Sequence, residues 1–167
     1  MIRLVGSVLL IACGWLAGYS ASQKQRERLR QWMLLESYLD NLKAELEYTH
    51  APFEQIAHDL AQNPIYREFP FASFCGENIC GQPFFQLFRE GVKQNQKIFG
   101  NEICACLEVL SGQLGNYPAE SQAASIGLCT HQINRICEML RSKMTQNIKL
   151  YQSLGLLGGT AVVILLW

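Results

Sequence analysis

The chain has 167 residues, and its 14 basic and 14 acidic side chains give a formal net charge of zero. This balance, without a dense basic face, excludes the usual kind of nucleic-acid-binding protein. The apolar fraction of 49% is ordinary for a folded protein, and the two ends of the chain carry part of it.

The first predicted element is an apolar segment from Ile2 to Ala21, in which Arg3 is the only charged residue. Twenty helical residues rise about 30 Å, enough to cross the hydrocarbon core of a bilayer. Residues 1–21 are therefore predicted to form a transmembrane helix. A cleaved signal peptide and a lipoprotein signal ending at Cys13 are the alternatives. The apolar run that continues beyond Cys13 favours the transmembrane helix.

Basic residues predict the topology. They lie on the inner side of both apolar ends, and they are Lys24, Arg26, Arg28, Arg30, Arg141, Lys143 and Lys149. Because basic residues next to a span stay in the cytoplasm, residues 22–150 are predicted to be cytoplasmic, with both chain ends outside. The seven cysteines are then expected to be free thiols.

Residues 22–150 show helical periodicity and no alternating strand pattern, which indicates an all-α bundle. The first helix carries a narrow apolar seam at Trp32, Leu35, Leu39, Leu42 and Leu46, which Leu29 and Tyr48 are expected to extend. Pro52 is predicted to begin a second helix, which ends at Asn63-Pro64. Its predicted buried residues are Phe53, Ile56, Ala57 and Leu60.

The helical pattern is lost between Pro64 and Pro83. This segment contains three prolines, two glycines and four Phe or Tyr rings, which predict an aromatic-rich loop with a turn of helix around Ala72. A loop of this length in a compact domain is unusual and often functional. Alternatively, its rings fold back over the bundle as an apolar plug.

Three further helices follow. The first is short and apolar at Phe84, Phe85, Leu87, Phe88 and Val92; the next carries Ile103, Leu107, Leu110 and Leu114. Gly115 is predicted to cap the second of these, and Pro118 to begin the last helix, with Glu120 in its first turn. The stripe of this last helix is Ile126, Cys129, Ile133, Ile136, Leu140, Met144 and Ile148.

No breaker separates the last helix from the apolar segment Tyr151–Trp167. Residues 151–167 are predicted to form a second transmembrane helix, of about 24 Å between its aromatic ends. Both predicted spans carry G-x-x-x-G spacings, which allow close helix packing in lipid, although glycine is also frequent in membrane helices without a partner. The glycines are Gly14, Gly18, Gly155 and Gly159.

The sequence predicts no catalytic, cofactor or metal site. It contains no Gly-rich phosphate loop, no G-x-S-x-G and no H-E-x-x-H, so we expect a protein that is not an enzyme. Cys75 and Cys80 make half of a zinc site. Cys104 and Cys106 would have to supply the rest, but residues two apart on a helix point in different directions.

Four stretches of the sequence resemble the stage III sporulation protein AB family of endospore-forming bacteria. They are QKQRERLRQW, LLESYLDNLKAELEYTHAPFEQIAHDLA, LEVLSGQLGNYPAESQ and KLYQSLGLLGGTAVVILLW. The second resembles the family's Tyr-x-x-x-Pro turn at Tyr48 and Pro52, and the third its Leu-Gly turn at Gly115. Two features depart from the family: Tyr117-Pro118 replaces an expected Asp, and the Cys75 to Cys80 loop has no counterpart.

The resemblance implies a non-enzymatic platform in the mother-cell membrane around the forespore, with a cytoplasmic helical domain similar to that of the type II secretion F protein. It also implies partners among the other stage III sporulation channel proteins, including the AA-type ATPase. A homo-oligomer is a further possibility.

Three connections are predicted to dock the partner: the turn from Tyr48 to Pro52, the loop around Phe71 and Phe74, and the turn from Gly115 to Pro118. The first and third are short and rigid, and the second offers aromatic rings. The alternative function is an exported membrane-anchored lipoprotein or thiol-redox module that uses Cys75 and Cys80.

Overall fold

The computed structural model describes the backbone of residues 2–78, 81–115 and 118–166. Side chains are described for residues 23–78, 81–115, 118, 120–142 and 153. The described backbone forms six helices and no strand, which confirms the predicted all-α class. The helices are α1 (Ile2–Thr49), α2 (Phe53–Gln62), α3 (Pro70–Glu77), α4 (Phe84–Gln94), α5 (Gln96–Ser111) and α6 (Ala119–Leu166).

The chain divides into two compact units. One, the core unit, is Arg30–Glu138; the other, the terminal unit, combines Met1–Leu29 with Met139–Trp167. The core unit lies inside the predicted domain of residues 22–150, whose outer boundaries stay a prediction.

The terminal unit is made from the beginning of α1 and the end of α6. Helix α6 runs from Ala119 to Leu166, which agrees with the absence of a helix breaker before residue 151 in the sequence. Among the described residues, no helix combines the length and the apolar character needed to cross a membrane. The predicted spans, 1–21 and 151–167, lie outside the described side chains apart from Ser153, as do their four glycines. The two spans therefore stay predictions.

The core unit is organised around one face of α1. The predicted seam is confirmed, since none of its members is more than 4% exposed: Trp32, Leu35, Leu39, Leu42 and Leu46. Tyr38 is also fully buried on this face. The predicted extension of the seam to Tyr48 is wrong, because Tyr48 is 88% exposed. It follows Leu46 by two positions, about 200° around the helix, and so points away from the seam.

The connection from Pro64 to Pro83 contains α3, of which the sequence predicted only a turn of helix around Ala72. Pro70 occupies the first turn of α3, where its missing N–H costs no hydrogen bond. The helix packs closely on α2, because a Cβ atom placed on Gly76 would lie 2.2 Å from Cβ of Ala61. The predicted long loop is therefore replaced by two short connections on either side of α3.

Aromatic rings from this connection fill the centre of the core unit. We call this group the aromatic cluster: Tyr38, Tyr66, Phe69, Phe71, Phe88 and Phe99, all at most 1% exposed. Phe71 meets Tyr38 and Phe88 edge to face, with ring centroids 5.8 and 5.2 Å apart. Such pairs add to the free energy gained by burial. Of the two interpretations of the segment, the apolar plug is confirmed.

The remaining helices bury the faces that their periodicity predicts. The buried residues include Phe84, Leu87, Phe88 and Val92 of α4, Ile103, Leu107 and Leu110 of α5, and Ile126, Cys129, Ile133 and Ile136 of α6. Gly100 interrupts α5 with a φ of 80°. The indole N–H of Trp32 donates to the carbonyl oxygen of Ile98 at 2.9 Å, which ties the start of α5 to α1. The side chains of Met144 and Ile148 lie outside the description.

Candidate docking site

Pro52 and Gly115, one residue from each of two predicted docking turns, line one cleft of the core unit, whereas Tyr48 and Pro118 of the same turns lie outside its lining. We call this cleft the turn cleft; its cavity volume is about 470 Å³. Its lining comes from the end of α1, the α1–α2 turn, the start of α4, the residue Gly115 and the start of α6. These residues are Leu46, His50, Ala51, Pro52, Phe53, Glu54, Pro83, Phe84, Phe85, Gly115 and Gln122.

Local hydrogen bonds fix the α1–α2 turn. His50 adopts a φ of 50°, a left-handed conformation that ends α1. The hydroxyl of Thr49 donates to the carbonyl of Glu45 at 2.7 Å and accepts from the N–H of Ala51 at 3.2 Å. The carbonyl of Pro52 then accepts from the N–H groups of Gln55 and Ile56 at 3.0 and 3.1 Å. Pro52 therefore precedes α2 as its N-cap residue, and the prediction that it begins the helix is one residue early.

Stacked rings form the apolar floor of the turn cleft. Phe53 and Phe84 lie nearly parallel, with ring centroids 5.3 Å apart and an interplanar angle of 7°. Phe85 is half-buried beside them and faces Gly115. Gly115 has a φ of 84°, a conformation that favours glycine over other residues. The floor is therefore preformed by packing between α2 and α4.

Glu54 joins the floor to the wall of the cleft. One of its carboxylate oxygens accepts a hydrogen bond from the backbone N–H of Phe84 at 3.1 Å. This N–H belongs to the first turn of α4, where the helix leaves donors unsatisfied and the helix dipole favours a negative charge. Glu54 therefore fixes the start of α4 against α2 while it lines the cleft.

The structure places the predicted docking residues in two different environments. Tyr48 is 88% exposed at the end of α1, and Pro52 and Pro118 are exposed as well. Phe71 is fully buried and Phe74 is half-buried. Phe71 therefore belongs to the core, and the expectation that its ring is exposed for docking is wrong. Its burial follows from the position of α3 against α1 and α4.

The turns at Gly115 and Pro118 differ slightly from the prediction. Helix α5 ends at Ser111 with Gly112 as its C-cap residue, so Gly115 ends the following turn instead of the helix. Helix α6 begins at Ala119, and the carbonyl of Pro118 accepts from the N–H of Gln122 at 3.1 Å.

The sequence analysis missed Glu54, Phe85 and Gln122 as lining residues of the cleft. A carboxylate in the first turn of α2 was a visible signal for Glu54. Nothing in the spacing of the sequence brings α4 and α6 to the α1–α2 turn.

A second depression lies on the other side of the same turn. We call it the side cleft; its cavity volume is about 230 Å³, and it shares Ala51 with the turn cleft. Its lining is Glu45, Thr49, Ala51, Gln55, Ile56, Asp59, Leu60 and Asn63. The α1–α2 turn is thus flanked by two depressions, each of which carries carboxylate side chains.

An uncharged groove of about 380 Å³ lies between α5 and α6. Val109 and Leu128 line it and are 68% and 75% exposed. Cys106 and Cys129 also line it, and the thiol of Cys129 donates to the carbonyl of Cys106 at 3.7 Å. This groove, which the sequence analysis did not anticipate, is the main competing surface for a partner.

The thiol chemistry of Cys75 does not favour a redox role. Cys75 is fully buried, and burial raises the pKa of its thiol well above the usual value. Reactive cysteines have the opposite character, since they are accessible and their thiolate is stabilised. Cys80 lies outside the described residues.

The chain was compared with known proteins. Residues 3–167 match the family model of stage III sporulation protein AB. The chain is also 26% identical over 172 residues to the stage III sporulation protein AB of Bacillus subtilis (strain 168), an alignment that covers 99% of each chain. No solved structure matches the chain. Because the family model covers nearly every residue, this chain belongs to the stage III sporulation protein AB family.

Proposed function

We propose that this chain is a non-enzymatic, membrane-anchored platform of the stage III sporulation channel between mother cell and forespore. Its turn cleft docks the AA-type ATPase of that channel, which supplies the energy that the platform itself does not. Membership of the stage III sporulation protein AB family supports a role in sporulation. The convergence of Pro52 and Gly115, from two predicted docking turns, in one cleft supports the surface.

The turn cleft is suited to binding a protein because it combines a rigid wall with apolar area. The hydrogen bonds of the α1–α2 turn hold its wall in one conformation, which limits the entropy lost on binding. The stacked pair of Phe53 and Phe84 forms its floor. Tyr48 is exposed at the end of α1, outside the lining of the cleft, and exposed Tyr residues often dominate binding energy at an interface.

Co-purification of the AA-type ATPase with the full chain tests the docking surface. Tyr48→Ala should reduce the recovered ATPase several-fold, because a large contact is lost while the fold keeps its core. Leu128→Ala, on the α5–α6 groove, is the matched control and should retain the partner, since Leu128 is a similarly exposed apolar residue. If only Leu128→Ala reduces the recovered ATPase, the docking surface is the α5–α6 groove and not the turn cleft. Failure of the wild type to bind ATPase in membranes would contradict the platform.

The membrane topology needs reporters that the native buried thiols cannot provide. Cys75 and Cys129 are at most 6% exposed, so burial would protect them from maleimide in either orientation. Cysteine introduced at Tyr48 or Ala124, both exposed, avoids this ambiguity. We expect an impermeant maleimide to label them only after lysis. Labelling in intact cells would contradict the cytoplasmic orientation and favour the exported alternative.

A further inference from the structure

Resting on the proposed docking function, we infer that the occupant of the turn cleft is a basic protein segment whose arginine side chain pairs with Glu54. The inference concerns the chemistry of the partner and assigns a specificity-determining residue to the cleft.

The linings of the two clefts contain three carboxylate side chains and, besides them, the imidazole of His50. Glu54 lines the turn cleft, and Glu45 and Asp59 line the side cleft on the opposite side of the turn. Neither lining contains a Lys or Arg residue. The nearby Lys43 is directed to Glu47, with an Nζ–Oε1 distance of 3.9 Å, and lies against Gly127 of α6. A partner that covers both depressions therefore meets carboxylates, and a basic surface is complementary to them.

Glu54 is placed to bind a cation as well as to cap α4. Its Oε1 atom accepts from the N–H of Phe84, and a carboxylate retains acceptor capacity at both oxygens after one such bond. The same carboxylate lines the cleft. An incoming donor therefore adds to the existing hydrogen bond and does not compete with it.

The aromatic floor favours arginine among the basic side chains. A guanidinium group stacks on aromatic faces and is more weakly hydrated than an ammonium group, so it enters an apolar cleft at a lower desolvation cost. Phe53 and Phe84 are stacked on each other and are 7% and 3% exposed, so the half-buried Phe85 is the ring of the lining that is accessible to a guanidinium group. Ring and carboxylate together match the planar, multiply donating head group of arginine.

The same charges argue against a lipid surface as the occupant. The cytoplasmic leaflet is negatively charged, and it attracts basic segments. A turn flanked by Glu45, Glu54 and Asp59 is repelled by that surface. A basic protein segment is thus the occupant that fits both the apolar floor and the charge.

Site-directed photocross-linking of the full chain in sporulating cells tests the inference. The photoreactive residue p-benzoylphenylalanine replaces Phe85, whose half-buried ring lines the cleft, and mass spectrometry locates the cross-linked segment of the partner. We expect an arginine-containing basic segment. A cross-link confined to acidic or uncharged segments would overturn the inference.

Charge removal at Glu54 provides the second measurement. Glu54→Gln keeps an oxygen that accepts from Phe84 and removes the negative charge, so the cross-link yield should fall about tenfold while the thermal midpoint stays unchanged. Glu90→Gln is the matched control, because Glu90 is an exposed carboxylate of α4 that does not line the cleft. Unchanged yield with Glu54→Gln overturns the role of Glu54.

A charge reversal at Glu54 distinguishes a failure of the basic-segment inference from a failure of the proposed ATPase docking. Glu54→Arg should abolish the cross-link, and replacement of the identified partner arginine by glutamate should restore it. If the probe at Phe85 cross-links to the ATPase without any effect of Glu54, the inference fails and the proposed function stands. If it cross-links to a basic segment of another protein or of a second copy, the proposed partner fails and the basic occupant is supported.

Discussion

Two predicted docking segments of the core unit contain proline and aromatic residues, and they differ in burial. In the segment from Tyr48 to Pro52, Tyr48 at the end of α1 is 88% exposed, whereas Phe71 in α3 is completely buried. Local composition does not distinguish them. The difference is set by the neighbouring elements, because Phe71 faces the rings of Tyr38 and Phe88 while Tyr48 lies beyond the buried face of α1.

This comparison separates stability from binding. Substitutions in the aromatic cluster should unfold the core unit, whatever they do to partners. Substitutions on the α1–α2 turn should leave the fold intact and change only what binds. The following predictions are ordered by the size of the expected change in stability.

The largest effect is expected for Phe71→Ala. Removal of a fully buried ring leaves a cavity among the other rings of the aromatic cluster, and such changes typically lower the free energy of unfolding by about 3–5 kcal/mol. Chemical unfolding of the full chain in detergent, followed by circular dichroism, measures it. Tyr48→Ala is the control and should change the same quantity by less than about 0.5 kcal/mol. Equal effects of the two substitutions would remove the distinction between the regions.

The close packing of α3 on α2 gives the next effect. Gly76→Ala should destabilise by about 1–3 kcal/mol, because the new Cβ atom would lie 2.2 Å from Cβ of Ala61 and 2.9 Å from the carbonyl oxygen of Ala57. Hydrogen exchange of α3, measured by mass spectrometry, should be faster in this variant. Adding Ala61→Gly removes the closest contact and should restore part of the protection. Full stability in Gly76→Ala would show that the two helices can separate.

Alkaline pH should weaken the region around α3 through Cys75. Burial raises the pKa of this thiol in the folded state, so the unfolded chain loses its proton first as the pH rises through about 9. The stabilisation is therefore complete below pH 9 and declines above it, by at most about 1.4 kcal/mol per pH unit for one group. Cys129 contributes a decline in stability of the same sign above pH 9, since burial raises the pKa of its thiol to about 12.

The slope of stability against pH isolates the contribution of Cys75. Cys75→Ala should have a shallower decline between pH 9 and 10, whatever its stability at neutral pH, while the decline due to Cys129 persists. An unchanged slope in Cys75→Ala would mean that the thiol is not buried in solution. Burial also raises the pKa of Tyr38, so Tyr38 contributes a decline of the same sign that develops as the pH approaches 10 and persists in Cys75→Ala.

Sequence reasoning succeeded where a single helix determines the outcome. The seam of α1 and the buried faces of α2, α4, α5 and α6 follow from 3.6-residue periodicity, which local geometry enforces. At α3 it predicted a turn of helix around Ala72 but not the full helix, because prolines and glycines in a short segment obscure a helix that tertiary contacts stabilise. Tyr48 and Pro52 were found from a family turn, but Glu54 and Phe85 required knowledge of which helices meet. A cleft formed by distant segments has no periodic signal in the sequence.

The smallest expected change in stability concerns the Glu54 carboxylate, which lines the turn cleft and also accepts a hydrogen bond from the start of α4. Glu54→Ala removes the acceptor for the N–H of Phe84 and should cost about 1 kcal/mol, as the loss of a helix cap does. Glu54→Gln keeps an acceptor oxygen and should change the free energy of unfolding by less than about 0.5 kcal/mol. Urea unfolding of the two variants measures the difference. If both are equally destabilised, the charge itself holds α4 in place, and Glu54 belongs with the core instead of the exposed turn. If only Glu54→Ala is destabilised, the hydrogen bond is structural and the charge is available to a partner, which is the division of roles that the two regions predict.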